Sequence, residues 1–357
     1  MKVRAALVLL ALSLVEGVLA FPGADGARAD SSRRREIVDL TRLELLRSIS
    51  KGWTHSLSPG GQGFAVFDAN VVRLIDTYEG REYQTLSGHT GLIHDSGWSR
   101  DGRQIATAGY DAAVRVWDVA TGKSLPPLYP HAGYACSVAF SADGKWIATG
   151  GSEDGMIKIF EAASGRAVRT IQTPDVSIYA VAFTGDGRHL VVNHSLANRA
   201  DSSMRVFKTA DGSEVKNLAT GAVTAFALSR DGRTLAYSNA RGSIILVETV
   251  GWTEVKRLDG HQNGASSLAF HPISRYLAST APRDGAVRIW DTETGKIINS
   301  LNVKGETDSR LVFGSDGLTL VVSSTDATVR VFGRPEGSSR INAGQAPEGA
   351  PAGQPGK

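Results

Sequence analysis

Apolar residues along this chain fall into short runs separated by polar turns, and two landmarks recur in phase. The first is a tight turn of the form Ser-x-Asp-Gly: SPGG at 58–61, SRDG at 99–102, SADG at 141–144, TGDG at 184–187, SRDG at 229–232, HPIS at 271–274 and GSDG at 314–317. Its aspartates at 101, 143, 186 and 231 stand 42 to 45 residues apart. Asp bonds its own backbone two residues on and Gly accepts positive φ, so the pair reverses a strand sharply. The second landmark is a β-branched, proline-free run: VVRLID (71–76), AVRVWD (113–118), MIKIFE (156–161), SMRVFK (203–208), SIILVE (243–248), AVRIWD (286–291) and TVRVFG (328–333). This is strand chemistry. Positions 72, 114, 157, 204, 244, 287 and 329 are apolar, and so are the positions three residues further on. An odd spacing puts the two sets on opposite faces of a pleated strand, so both faces must be buried. Basic residues between them, such as Arg73, Arg115 and Arg288, can lay their stems along apolar neighbours and keep their charge wet.

Two further apolar runs precede each such strand, at 92–98 and 104–109 in the second unit and at 134–140 and 146–150 in the third. A fourth run follows a turn such as Thr121-Gly122, Ser164-Gly165, Asp211-Gly212 or Thr294-Gly295. Each unit therefore reads as a four-stranded antiparallel meander of just over 40 residues. A sheet with two apolar faces must stack on neighbours, and repeats of this period signal propellers and arrays. Seven units result.

These units resemble WD40 repeats over about residues 36 to 333. The second and sixth are the strongest copies, each pairing Gly-His (His89, His261) with Trp-Asp (Trp117, Trp290). The third keeps His131 but ends in Phe160-Glu161, the fifth begins without Gly-His, and the first, fourth and seventh are degenerate. The resemblance implies an all-β, seven-bladed β-propeller whose strands run outward from a central channel. The seventh unit stops at VRVFG, so residues 43–49 are expected to complete it and leave no open sheet edge. A helix over 36–49 is the alternative that Leu and Arg favour.

The resemblance also implies buried hydrogen-bonded tetrads: His89, Thr107, Asp111 and Trp117 in the second unit, and His261, Ser279, Asp284 and Trp290 in the sixth. An imidazole can donate to a carboxylate while a hydroxyl and an indole N–H satisfy the rest. The set superficially matches a Ser/Thr-His-Asp triad, but it lies inside a blade and no nucleophile-elbow sequence accompanies it. The tetrads read as structural.

Composition narrows the picture. Of 357 residues, 41% are hydrophobic and 21% charged, as in soluble globular proteins. A net charge of +3 does not announce a nucleic-acid or membrane-surface protein. Cys136 is the single cysteine, which excludes an intramolecular disulfide and a cysteine metal cluster. Lys2 and Arg4 precede an uncharged run from Ala5 to Val15, then Val18-Leu19-Ala20; residues 1–20 read as a secretory signal peptide. The run is too short to span a bilayer, so the chain is expected to be exported, periplasmic or secreted, with a retained N-terminal anchor as the alternative. Residues 21–35 read as a basic linker, 36–333 as the propeller and 334–357 as a disordered Gly/Pro/Ala-rich tail.

Enzyme signals fail: neither H-E-x-x-H nor G-x-S-x-G occurs, and GKS at 122–124 lacks the glycine of a phosphate loop. The remaining histidines (His55, His94, His189, His194, His271) are scattered, with His189 and His194 expected at the surface. On the strands expected to line the channel, only His94, Asp95 and Asp308 could serve chemistry, with Arg310 as counter-charge. A channel-site hydrolase- or lactonase-like enzyme, or a small-ligand or metal-binding propeller, is thus the second reading. The first is a non-enzymatic, monomeric scaffold for a protein or peptide, with no cofactor, no nucleic acid and no membrane span in the mature chain. WD40-type propellers commonly grip partners on the face where the turns between second and third strands emerge. Tyr110, Glu153 and Arg283 occupy the position pointing there, with Tyr134 expected nearby; Tyr and Arg are frequent interface anchors.

Overall fold

The computed structural model describes residues 40, 43–50, 53–59, 61–77, 79–173, 177–195, 202–220, 222–281, 284–303, 310–314, 317–324 and 328–333. Residues 1–20, 21–35 and 334–357, read above as signal, linker and tail, lie outside them, as do Arg283 and Asp308. No helix among the described residues is long and apolar enough to cross a membrane.

Every landmark strand is the third of a meander and is buried on both faces. Val72, Val114, Ile157, Met204, Ile244, Val287 and Val329 pack on one side, and Ile75, Trp117, Phe160, Phe207, Val247, Trp290 and Phe332 on the other, none more than 6% exposed. The sheets cannot satisfy two apolar faces alone, so they stack. Seven apolar clusters result, one at each interface between consecutive blades. The cluster between blades seven and one joins Val321, Val329 and Val331 to Leu57, Phe64, Val66 and Ile75, and this contact closes the ring. The protein is a seven-bladed β-propeller. First strands of consecutive blades, such as Ile93–Trp98, Ala135–Phe140 and Ser177–Phe183, neighbour one another and ring the axis.

The ring is also closed by hydrogen bonding between strands distant in sequence. Glu44–Ser50 is a strand, one residue later than expected, and pairs antiparallel with Thr328–Gly333 as the outer strand of blade seven. The strand wins over the helical alternative because it removes an open edge. Just before it, Leu40 is buried against blades six and seven, and its carbonyl accepts from Asn299 Nδ2 at 2.7 Å.

Blade two departs from the expected four strands. After Ile93–Trp98, Gln104–Gly109 and Val114–Asp118, the outer position holds only bridges at Ser124 and Leu128. Pro126 and Pro127 lie between them, and a residue without an N–H cannot extend the ladder. The Ser-x-Asp-Gly turns also carry more than the sequence suggests. Ser99, Ser141, Thr184 and Ser229 each donate a hydroxyl hydrogen bond to the turn aspartate at 2.6–2.8 Å, while the glycine takes φ near +70°.

Candidate functional site

The second blade's tetrad forms a connected chain. His89 Nδ1 donates to Asp111 at 2.9 Å, Thr107 Oγ1 donates to His89 Nε2 at 2.8 Å, and Trp117 Nε1 donates to Thr107 Oγ1 at 2.8 Å. This order needs a neutral imidazole, and burial pushes the His89 pKa down. Burial raises the Asp111 carboxyl, but bonds from the Thr90 N–H and from His89 outweigh it and hold the group below its ordinary value. Asp111 therefore ties the loop at Thr90 to the turn at Ala113. Gly109 makes room: a Cβ there would stand 2.9 Å from both Asp111 Oδ1 and His89 Nδ1. Blade six repeats the chain, with His261 to Asp284 at 2.6 Å, Ser279 at 2.7 Å from His261 Nε2, and Trp290 Nε1 donating to Ser279 at 2.7 Å.

Blade three holds a version that the sequence reading passed over. His131 bonds Asp154 at 2.8 Å and Thr149 at 2.9 Å, with Phe160 where the indole would be. The signal was present, since Thr149 and Asp154 fall 18 and 23 residues after His131, as their counterparts do in blade six. All three hydroxyls are buried, and each is engaged with its imidazole. None is placed to attack a substrate.

Blade four corrects an expectation. His194 is fully buried, not at the surface, and burial pushes its pKa down to about 3. It stands in its second strand where blades two and three have Gly109 and Gly151. Its ring lies 6.0 Å from Phe207, as His89 lies 6.3 Å from Trp117 and His261 5.9 Å from Trp290. An imidazole from the second strand, rather than from the entering loop, thus occupies the same slot. His189 is half-buried rather than at the surface, its ring edge-on to Trp252 at 5.6 Å.

Two of the residues proposed for a channel site, His94 and Asp95, have structural duties. His94 Nδ1 donates to the Cys136 carbonyl at 2.7 Å, which ties blade two to blade three. Burial, helped by the nearby Arg310, pushes its pKa down to about 4. Asp95 is wholly buried and accepts from the Val138 N–H of the next blade at 2.9 Å. Burial pushes its carboxyl up to about 7 against the pull of Arg310. Ser137 and Ser267 accept from the N–H of Val181 and Leu311 in the same way, 44 residues on. Burial also pushes the Cys136 thiol up to about 12, far from a reactive thiolate. Among the described residues no group of three or more His, Cys, Asp or Glu could hold a metal ion.

Three of the four partner-face candidates, Tyr110, Tyr134 and Glu153, come together on blades two and three. Because first and second strands run antiparallel, the loop entering a blade and the turn leaving its second strand emerge on one face. The Tyr110 N–H bonds the Leu92 carbonyl at 2.8 Å and the Ser152 N–H bonds the Tyr134 carbonyl at 3.0 Å, pinning loop to turn in both blades. In the turns, Ala112 takes φ +62° where blade three has Gly155 at +59°. Tyr110 and Tyr134 meet across the blade boundary with ring centroids 4.6 Å apart and planes inclined at 32°. They remain 42% and 46% exposed. His94 stacks on Tyr110 with ring centroids 5.7 Å apart. Glu153 folds over Gly133, where an added Cβ would lie 3.0 Å from its Oε2, next in sequence to Tyr134. Leu92, missed in the sequence, is 55% exposed beside Tyr110.

A family model described as WD domain, G-beta repeat matches residues 80–118, 122–161 and 252–291. Protein HIR1 of Mycosarcoma maydis is 25% identical over 298 residues, 77% of this chain and 24% of that protein. Coronin-7 of Homo sapiens is 31% identical over 105 residues, 29% of this chain and 11% of that protein. The target of rapamycin complex subunit wat1 of Schizosaccharomyces pombe is 27% identical over 184 residues, 50% of this chain and 56% of that protein. The chain thus spans about a tenth to just over half of these relatives. It carries three matched WD40 repeats, each ending with the third strand of a blade, within a closed ring of seven stacked sheets.

Proposed function

We propose that the protein is a non-enzymatic scaffold that binds a protein or peptide on the face formed by blades two and three, with Tyr110 and Tyr134 as anchors. The observation that carries this reading is the exposed tyrosine pair, held in van der Waals contact by two independently pinned turns. Two large side chains with few rotors lose little entropy when a partner covers them. The tetrads and the His94–Asp95 pair serve the scaffold, which leaves the face as the place for recognition. Its sequence relatives favour the same reading, one of them being by name a subunit of a complex. Affinity capture from the native compartment with the wild-type chain and with Tyr110→Ala/Tyr134→Ala tests it. A partner held by the first and released by the second is the expected result; equal retention overturns the assignment of the face.

We further propose that the scaffold works outside the cytoplasm, on the strength of the basic start, apolar run and Val18-Leu19-Ala20 of the N-terminus. N-terminal sequencing of the protein recovered from its native cells should begin at Phe21. A chain that retains Met1 and remains in the cytoplasmic fraction contradicts export.

A further inference from the structure

We propose that the group received by the Tyr110–Tyr134 face is a cationic side chain, arginine above lysine, carried on a basic segment of the protein partner. The proposal rests on the reading of this face as the docking site and adds the chemistry of what docks. The two exposed rings offer π-faces that attract a cation. The loops and turns that build the face, 88–95, 109–113, 130–136 and 151–155, contain no Lys or Arg. They carry Asp95, Asp111, Glu153 and Asp154 instead. Asp95 is buried in the blade boundary, and Asp111 and Asp154 are engaged by His89 and His131. Glu153 alone of the four is an exposed carboxylate at the rim of the tyrosine pair.

Cations do stand near this region. Arg115 and Lys158, on the third strands, act on His89 and His131, and Arg310, from blade seven, acts on His94. None of them belongs to the loops that carry the tyrosines. An acidic segment laid on the face would meet Glu153 with like charge, and an apolar one would cover that carboxylate without a counter-charge, which is costly. A guanidinium can stack flat on a tyrosine while donating sideways to a carboxylate, which a lysine ammonium does less well.

The test uses the full chain and a displayed library of random dodecapeptides. Selected peptides should be rich in Arg or Lys and should fail to bind Tyr110→Ala/Tyr134→Ala. Replacing the key arginine of a selected peptide by citrulline, or the key lysine by acetyl-lysine, should weaken binding about five- to tenfold. Glu153→Gln, a change at an exposed residue, should weaken the parent peptide by a similar factor and the neutral analogue hardly at all. Peptides that need both tyrosines but carry no basic residue, or that tolerate its neutralisation, overturn the cationic occupant and leave the docking face standing. A library that returns no tyrosine-dependent peptide overturns both.

Discussion

Thr107 and Thr149 occupy equivalent places in neighbouring blades but carry different numbers of partners. Thr107 serves both His89 and the Trp117 indole, whereas Thr149 serves His131 with Phe160 alongside. A Thr→Val change keeps the volume and removes the hydroxyl, stranding each partner at about 1–3 kcal/mol per buried group. Thr107→Val should therefore lower the urea-unfolding free energy by more than Thr149→Val, and equal losses contradict the wiring described. The same imidazoles set a pH dependence. His89, His94, His131, His194 and His261 all have folded pKa values pushed below 6.5, foremost by burial, to about 4 for His94 and about 3 for His194. Their stabilisation is complete above the unfolded value of 6.5 and drains away as pH falls through the folded values, because only the unfolded chain takes up the protons. Asp95 has the opposite sign. Its carboxyl is raised from 3.8 to about 7, so its contribution is complete below 3.8 and is lost as pH rises toward 7. Five groups against one give a net gain in stability from pH 4 to 6.5, readable as a rising thermal midpoint. Asp95→Asn removes the opposing group and should steepen that rise; a flatter profile contradicts the assignment.

At the scale of strands and blades, the register between Glu44–Ser50 and Thr328–Gly333 pairs Ser48 with Arg330. Ser48→Cys/Arg330→Cys should form a disulfide across the closing seam. Closing so long a loop constrains the unfolded chain, at about 5.6 kcal/mol by the chain-entropy relation, so the oxidised variant should melt well above the reduced one. Failure to cross-link contradicts the closing strand. This seam was legible in sequence because VRVFG ends a unit one strand short while an apolar stretch precedes the first unit. The third strands were legible for a similar reason, since apolar residues at 72 and 75 and their six repeats leave no face free for solvent. The gap in blade two was not read, although Pro126 and Pro127 were visible, because the turn at Thr121-Gly122 matched the other blades. His194 was misplaced because a period-of-two count assigns a face but cannot tell which slot between strands is vacant. Blade four lacks the entering Gly-His, and only packing shows that its second strand fills the vacancy.

For the whole molecule, seven equivalent interfaces produce a rigid ring, and rigidity is what lets loops of two blades hold a shared surface. Tyr110 was legible as a face residue from its place before Asp111, and Tyr134 from its place early in an inner strand. Their contact was not, because it depends on the rotation between blades rather than on either repeat. The role of His94 was hidden for the same reason: its partner, the Cys136 carbonyl, lies 42 residues away in the next blade. The central claim is that this joint surface, not a channel site, is where the protein acts. It is tested most directly by the dissociation constant of the captured partner for the wild-type chain and for Tyr110→Ala/Tyr134→Ala, at matched thermal stability. Loss of two central aromatic anchors at about 2 kcal/mol each or more predicts a weakening of at least a hundredfold. An unchanged constant contradicts the account.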